Sequence, residues 1–302
     1  MRRMFQIRQD KGLALISVVW VVLLLSVLAI AVLDLSLLAR KTTKLELEEA
    51  QNQLVAASAV DVFMHRYFLD DEQNARHHAS IEVLSKAVTV QVAFEKGRIN
   101  LNDDNMDYLS AAFAANGVDE SAALEIAAAI MDWRDEDDEV SLGGAEEDEY
   151  KHSGLDYRPR NGWFESVGEL QHVIGVSPDV FLCTQDIFTV YSKVSNAPPV
   201  LTYAEESVRK VIKWAYDHDW QSTVWGNPED IPYFEGASIS GDSVAGLAIR
   251  LHVTIEGDED RYYQTVLRLK SKGGTSEQFE TVLPVRRISL LQMDALCVGG
   301  SS

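Results

Sequence analysis

The sequence predicts an α+β fold: a long N-terminal helix, membrane-spanning in its first half, packs on an antiparallel sheet, and a helical lobe is inserted into that sheet. Three observations predict it. Leu13 to Leu33 is an uncharged apolar run, helical spacing of apolar residues continues beyond it, and alternating segments occur both before and well after a helix-rich middle. With 302 residues, 46% of them hydrophobic and 25% charged, the chain has enough material for one large or two modest cores.

The apolar run, LALISVVWVVLLLSVLAIAVL, is long enough as a helix to span roughly 30 Å of hydrocarbon. Arg2, Arg3, Arg8 and Lys11 precede it against a single acid, Asp10, which places the N-terminus in the cytoplasm. The run is too long for the apolar region of an ordinary signal peptide and continues directly into amphipathic helix. Leu47, Ala50, Leu54, Ala57, Asp61, Met64 and Phe68 recur at spacings of three and four, with Asp61 the one break. Neither Pro nor Gly interrupts Leu13 to Leu69, so the spacing predicts one rod of roughly 85 Å; the simpler alternative is a membrane anchor followed by a separate helix.

Lys86 to Glu95 alternates as a half-buried strand, and Leu247 to Glu256 repeats the pattern. Gly257 to Asp260 then turns the chain into a second strand at Tyr262 to Leu269, and a third is expected between Glu280 and Leu290. Between these strands the pattern is helical over Asn102 to Trp133, Val167 to Val176, Pro178 to Leu182 and Glu205 to Ala215. Cap-forming residues at Asn102 to Asp107, and Gly117 followed by Asp119, divide the first stretch into two short helices resembling a helix-hairpin-helix or SAM-like bundle. Leu101 to Trp133 contains no Lys or Arg, and the chain carries a formal charge of -20, so nucleic acid is excluded as a ligand on electrostatic grounds. Cys183 and Cys297 are the two cysteines; their spacing fits no zinc site and leaves open whether they pair.

The densest chemical feature is the acidic run Asp132 to Glu139 and Glu146 to Tyr150. Carboxylates at this density repel one another unless a cation lies among them, and Ca2+ accepts six to eight oxygens in flexible geometry. Asp135, Asp137, Glu139 and Glu146 follow EF-hand offsets, but Val140 stands where that loop needs Gly, so the segment is not an EF-hand. Gly143 and Gly144 allow a tight turn that gathers the acids; the competing reading is a solvated acidic connector. No HExxH, nucleophile-elbow or phosphate-loop pattern occurs, and no enzyme is expected.

In order, the leader ending at Gly12, the apolar helix, GRINLN at Gly97 to Asn102, DWRDED and GAEEDEY around the acidic run, and FESVGEL at Phe164 to Leu170 resemble the type II secretion system minor pseudopilin K family. The resemblance implies a pilin-type sheet and cleavage by the prepilin peptidase after Gly12, leaving a mature N-terminus at Leu13 that is N-methylated. It also implies that Ser17, at the position where most pseudopilins carry an assembly glutamate, marks a subunit with no earlier neighbour. By the same resemblance, Asp132, Asp135, Asp137, Glu146 and Asp148 match the calcium-binding segment, which Tyr150 closes.

The implied partners are minor pseudopilins I and J, the major pseudopilin, the prepilin peptidase and the inner-membrane assembly platform. The implied function is to initiate or cap the pseudopilus tip for protein export, from the bacterial inner membrane with a periplasmic C-terminal domain. A minor pilin of a type IV or competence filament is the alternative, and a membrane-anchored metal-dependent hydrolase the third reading. The expected organisation is a leader at 1–12, a membrane segment at 13–33, helix and first strand at 34–100, inserted lobe at 101–197, short helical connector at 198–240 and completing strands at 241–302. After Val194 the chain departs from longer family members, so a complete second helical subdomain is not expected.

Overall fold

The computed structural model describes residues 10–69, 78–192, 198–220, 246–257, 259–270 and 279–288. The chain divides into two compact units, Met1–Leu54 and Val55–Ser302. The first consists of helix α1, which begins at Asp10 and ends at Phe63, inside the second unit. From Leu15 to Leu38 its large apolar side chains are exposed, and among the described residues α1 is the one helix long and apolar enough to cross a membrane. The hydroxyls of Ser26 and Ser36 donate to the carbonyls of Val22 and Val32, each at 2.8 Å. These two hydroxyls are thus satisfied within the helix, as hydrocarbon surroundings would require of them.

In the second unit the end of α1 buries Val55, Ala56, Ala59, Val60 and Phe63, and Met64 follows in a π-helical turn, Met64–Leu69. The stripe expected through Leu47, Ala50 and Leu54 is therefore corrected: all three are exposed, Leu54 at 62%, Asp61 is exposed as the expected break, and only Met64 of the described stripe is fully buried. Spacings of three and four fit two adjacent faces of this Ala- and Val-rich helix, and the small, β-branched face approaches a sheet more closely.

The sheet has strand order β1-β2-β5-β6-β7, with every neighbouring pair antiparallel. Its strands are β1 (His78–Val83), β2 (Lys86–Phe94), β5 (Ala248–Ile255), β6 (Arg261–Leu269) and β7 (Phe279–Ile288). A two-residue turn joins β1 to β2 with Leu84 and Ser85 both at positive φ, matching the twist of the hairpin. Val88, Val90, Val92 and Phe94 on β2, and Ile249, Leu251, Val253 and Ile255 on β5, form one core with the end of α1. The opposite face carries Gln91, Arg250, His252 and Gln264.

Between β2 and β5 the lobe builds a second core from α2 (Met106–Ala114), α3 (Glu120–Arg134), α4 (Glu147–His152), α5 (Pro178–Thr184), α6 (Glu206–Asp217) and a short parallel pair, β3 (Ile99–Asn100) and β4 (Phe188–Thr189). Asn105 caps α2 by accepting from the backbone N–H of Asp107 and Tyr108, and Asp119 caps α3 by accepting from Ser121 and Ala122. The helix expected over Val167 to Val176 is a shorter 3-10 helix, Val167–His172, and Gly175 beyond it takes a φ of 86°. The connector expected at 198–240 is also corrected. Leu201, Val208, Val211, Ile212 and Ala215 lie in the lobe core, because an apolar stripe at helical spacing needs a partner surface and finds one on α2; 221–240 lie outside the described residues. Cys183 on α5 is disulfide-bonded, and Cys297 lies outside the described residues.

Candidate metal centre in the acidic loop

Helix α3 stops at Arg134 because Asp135 takes extended backbone. Arg134 fastens this end, donating to the Leu101 carbonyl at 3.2 Å and to Asp104 Oδ1 at 2.8 Å. Trp133 packs beside the rings of Tyr150 and Phe164, at centroid distances of 6.0 and 6.2 Å. With Trp133 directed into the core, its neighbour Asp132 is also drawn out of water and is 0% exposed.

The loop returns across Asp132. Ser141 N donates to Asp132 Oδ2 at 3.1 Å, and Gly144 passes so close that a Cβ there would lie 2.1 Å from the same oxygen. Only glycine fits that approach. Asp137 Oδ1 accepts from Glu139 N at 2.9 Å, and Asn161 Nδ2 donates to the Asp137 carbonyl and to Asp138 Oδ1, each at 3.2 Å. Glu146, 4% exposed, then precedes α4 and accepts no hydrogen bond on its carboxylate.

Among the described residues, four buried carboxylate oxygens have no hydrogen-bond partner: Asp132 Oδ1, Asp135 Oδ1 and both of Glu146. Burial pushes the Glu146 carboxyl up to about 7, reinforced by the charges of Asp132, Asp135, Asp138 and Asp137. Burial also raises Asp135, with Asp137 and Asp132 adding to the effect. Among the described residues no three of these groups stand as a ready-made ligand set, so what is gathered is unpaired negative charge around one turn. Desolvated carboxylates without donors are costly to folding, and hard oxygen donors of this kind suit a divalent cation.

The sequence-predicted residues divide. Asp132, Asp135 and Glu146 each keep a buried oxygen without a hydrogen bond, Asp137 is exposed but contributes to the field at Glu146, and Asp148 is 83% exposed, with its oxygen 3.7 Å from Lys151 Nζ. Tyr150 directs its hydroxyl to accept from Ile174 N at 3.1 Å. The Gly-Gly pair is the sequence signal for the close approach at Gly144, and nothing local signals the Asn161 arm. Ser17 lies in the exposed stretch of α1, and Gly12 and Leu13 lie in its first turns, their side chains outside the described residues.

The family model for type II secretion system protein K matches residues 86–193, which run from the start of β2 through the acidic loop to a few residues past β4. A solved chain of the GspK-GspI-GspJ complex from the type 2 secretion system of enterotoxigenic Escherichia coli shares the fold, with a TM-score of 0.55 at 13% identity, covering 81% of this chain and 98% of that one. No curated protein matches the chain by sequence.

Proposed function

We infer that this chain, which the family model for type II secretion system protein K matches over residues 86–193, is the minor pseudopilin at the tip of the secretion pseudopilus. The observation that carries this reading is the insertion of that matched lobe into an antiparallel sheet, behind a helix of membrane length. A lobe hung from the sheet enlarges the head of the subunit, which suits a position that initiates or caps a filament better than one repeated along it. The role is structural and not enzymatic.

Minor pseudopilins I and J are the immediate partners, as GspI and GspJ are of the solved neighbour, with the major pseudopilin and the inner-membrane assembly platform beyond them. The prepilin peptidase cleaves after Gly12, Leu13 is methylated, and α1 anchors the head on the periplasmic side of the inner membrane. The acidic turn suits calcium as a structural cofactor: Asp132, Asp135 and Glu146 would hold it, with Asp137 at the margin, and its charge would compensate the unpaired oxygens there. When bound, the ion supplies neutralisation and a fixed loop shape, and no chemical step.

The test is assembly. In bacteria lacking the native protein, the full chain restores export of a secreted protein and copurifies with I and J from detergent-solubilised membranes. Restored export without such copurification rejects the tip-complex role, and copurification with type IV pilus subunits instead assigns the chain to that filament.

A further inference from the structure

A cavity of about 800 Å³ lies between the polar face of the sheet and the lobe, wholly within the second compact unit. Strand register builds its floor. Gln91 on β2 stands opposite His252 on β5, His252 opposite Gln264 on β6, and Gln264 opposite Arg286 on β7. Alternate strand residues face opposite sides, so the strands that send valine and isoleucine to the α1 core send this polar row into the cavity.

The deepest cations are already engaged. Arg250 donates to Glu95 at 2.6 and 3.2 Å, and Arg98 pairs with Glu205 and with the Asp186 carbonyl. Gln264, turned to satisfy its amide, accepts from Arg250 at 2.9 Å. Other donors are not engaged. Gln185 Nε2, on a side chain 8% exposed, and the buried His252 Nδ1 have no partner, and both residues line the cavity. Arg286 is exposed at the end of the row and also lines it.

Burial, with Arg98 and Arg250, holds the His252 imidazole neutral, down at about 3, so it offers a hydrogen bond and not a charge. Phe181, Leu283 and Ile288 add apolar lining. Asp186 and Glu206 stand on the lobe side, which leaves the sheet side as the one that attracts an acid. A polar cavity of this size exceeds what a lone carboxylate fills, and β7, along one side, is an edge strand among the described residues, where an extended segment can lie.

We propose that this cavity binds an acidic peptide segment, with Gln185, His252 and Arg286 supplying donors to its carboxylates and Phe181, Leu283 and Ile288 receiving an adjoining aliphatic side chain. The site is separate from the acidic loop and does not depend on the tip assignment. Its specificity follows from unpaired donors that an acid satisfies and an amide satisfies less well.

The full chain in detergent micelles is titrated, by fluorescence anisotropy, into a dye-labelled short peptide of alternating glutamate and leucine, and into the same peptide with glutamine replacing glutamate. The acidic peptide binds saturably and at least tenfold more tightly. Arg286→Gln and Gln185→Glu each weaken it about tenfold or more, the loss of one charge-assisted contact. Arg286 is exposed, so its replacement leaves the melting temperature unchanged and reports on binding alone. Equal binding of the two peptides, or undiminished binding by both variants, overturns the proposal. Displacement of the peptide by free glutamate at matching concentration reassigns the cavity to a small acid and overturns it as well.

Discussion

Glu146 and Asp148 are two positions apart and equally acidic, yet their surroundings are opposite. Asp148 is 83% exposed on the outer face of α4 beside Lys151, while Glu146 is 4% exposed with both oxygens unpaired. In the full chain purified in detergent, calcium should raise the melting temperature of the parent and of Asp148→Ala alike. Glu146→Ala should abolish the rise, which at a hundredfold excess over Kd corresponds to about 2.7 kcal/mol. A rise that survives Glu146→Ala removes that residue from the ion. His252 makes a second residue-scale prediction. Its folded-state pKa is depressed, so its neutral form contributes stability that is present above about pH 6.5 and is lost as pH falls toward 3, at up to about 1.4 kcal/mol per pH unit. His252→Gln should flatten the acid limb of a stability-versus-pH curve by one proton; an unchanged slope assigns the acid loss to other groups.

Among elements, β2 and β5 were legible because alternation over eight or more residues has no competing explanation, and the register pairs them as neighbours. The buried face of α1 was not legible, since a helix rich in Ala, Val and Leu offers more than one apolar stripe and only the sheet selects among them. Helix α6 shows the reverse case: its apolar stripe is legible in the sequence, but the surface it packs on is not. Ile212 is fully buried in the lobe core, so Ile212→Ala should cost about 2–5 kcal/mol in chemical denaturation, whereas a free connector would lose well under 1 kcal/mol. In the acidic run, density pointed to a cation, but membership depended on where α3 stops and α4 starts, boundaries that sequence patterns locate only loosely.

At the scale of the molecule, the buried pair Glu95–Arg250 stands where β2 leaves the sheet for the lobe and β5 returns from it. Burial pushes the Glu95 carboxyl up, and Arg250 and Arg98 overcome this, holding it below its ordinary value. Removing one partner strands a charge: Arg250→Met alone should cost about 3–5 kcal/mol, and the double replacement Glu95→Leu with Arg250→Met should recover much of it. Additive losses in that cycle, measured by urea denaturation, would deny the coupling.

The sequence by itself determined the membrane-length helix, the strands on either side of a helical insertion, the acidic turn and the family resemblance, because each is written in local periodicity or in short motifs. Tertiary structure alone decided which face of α1 is buried, that α6 completes the lobe, that Glu146 and not Asp148 joins the carboxylate cluster, and that Gln185, His252 and Arg286 border one cavity. Those outcomes depend on residues far apart in the chain meeting across a packed interface, and the solvent excluded there sets which polar groups are left unpaired.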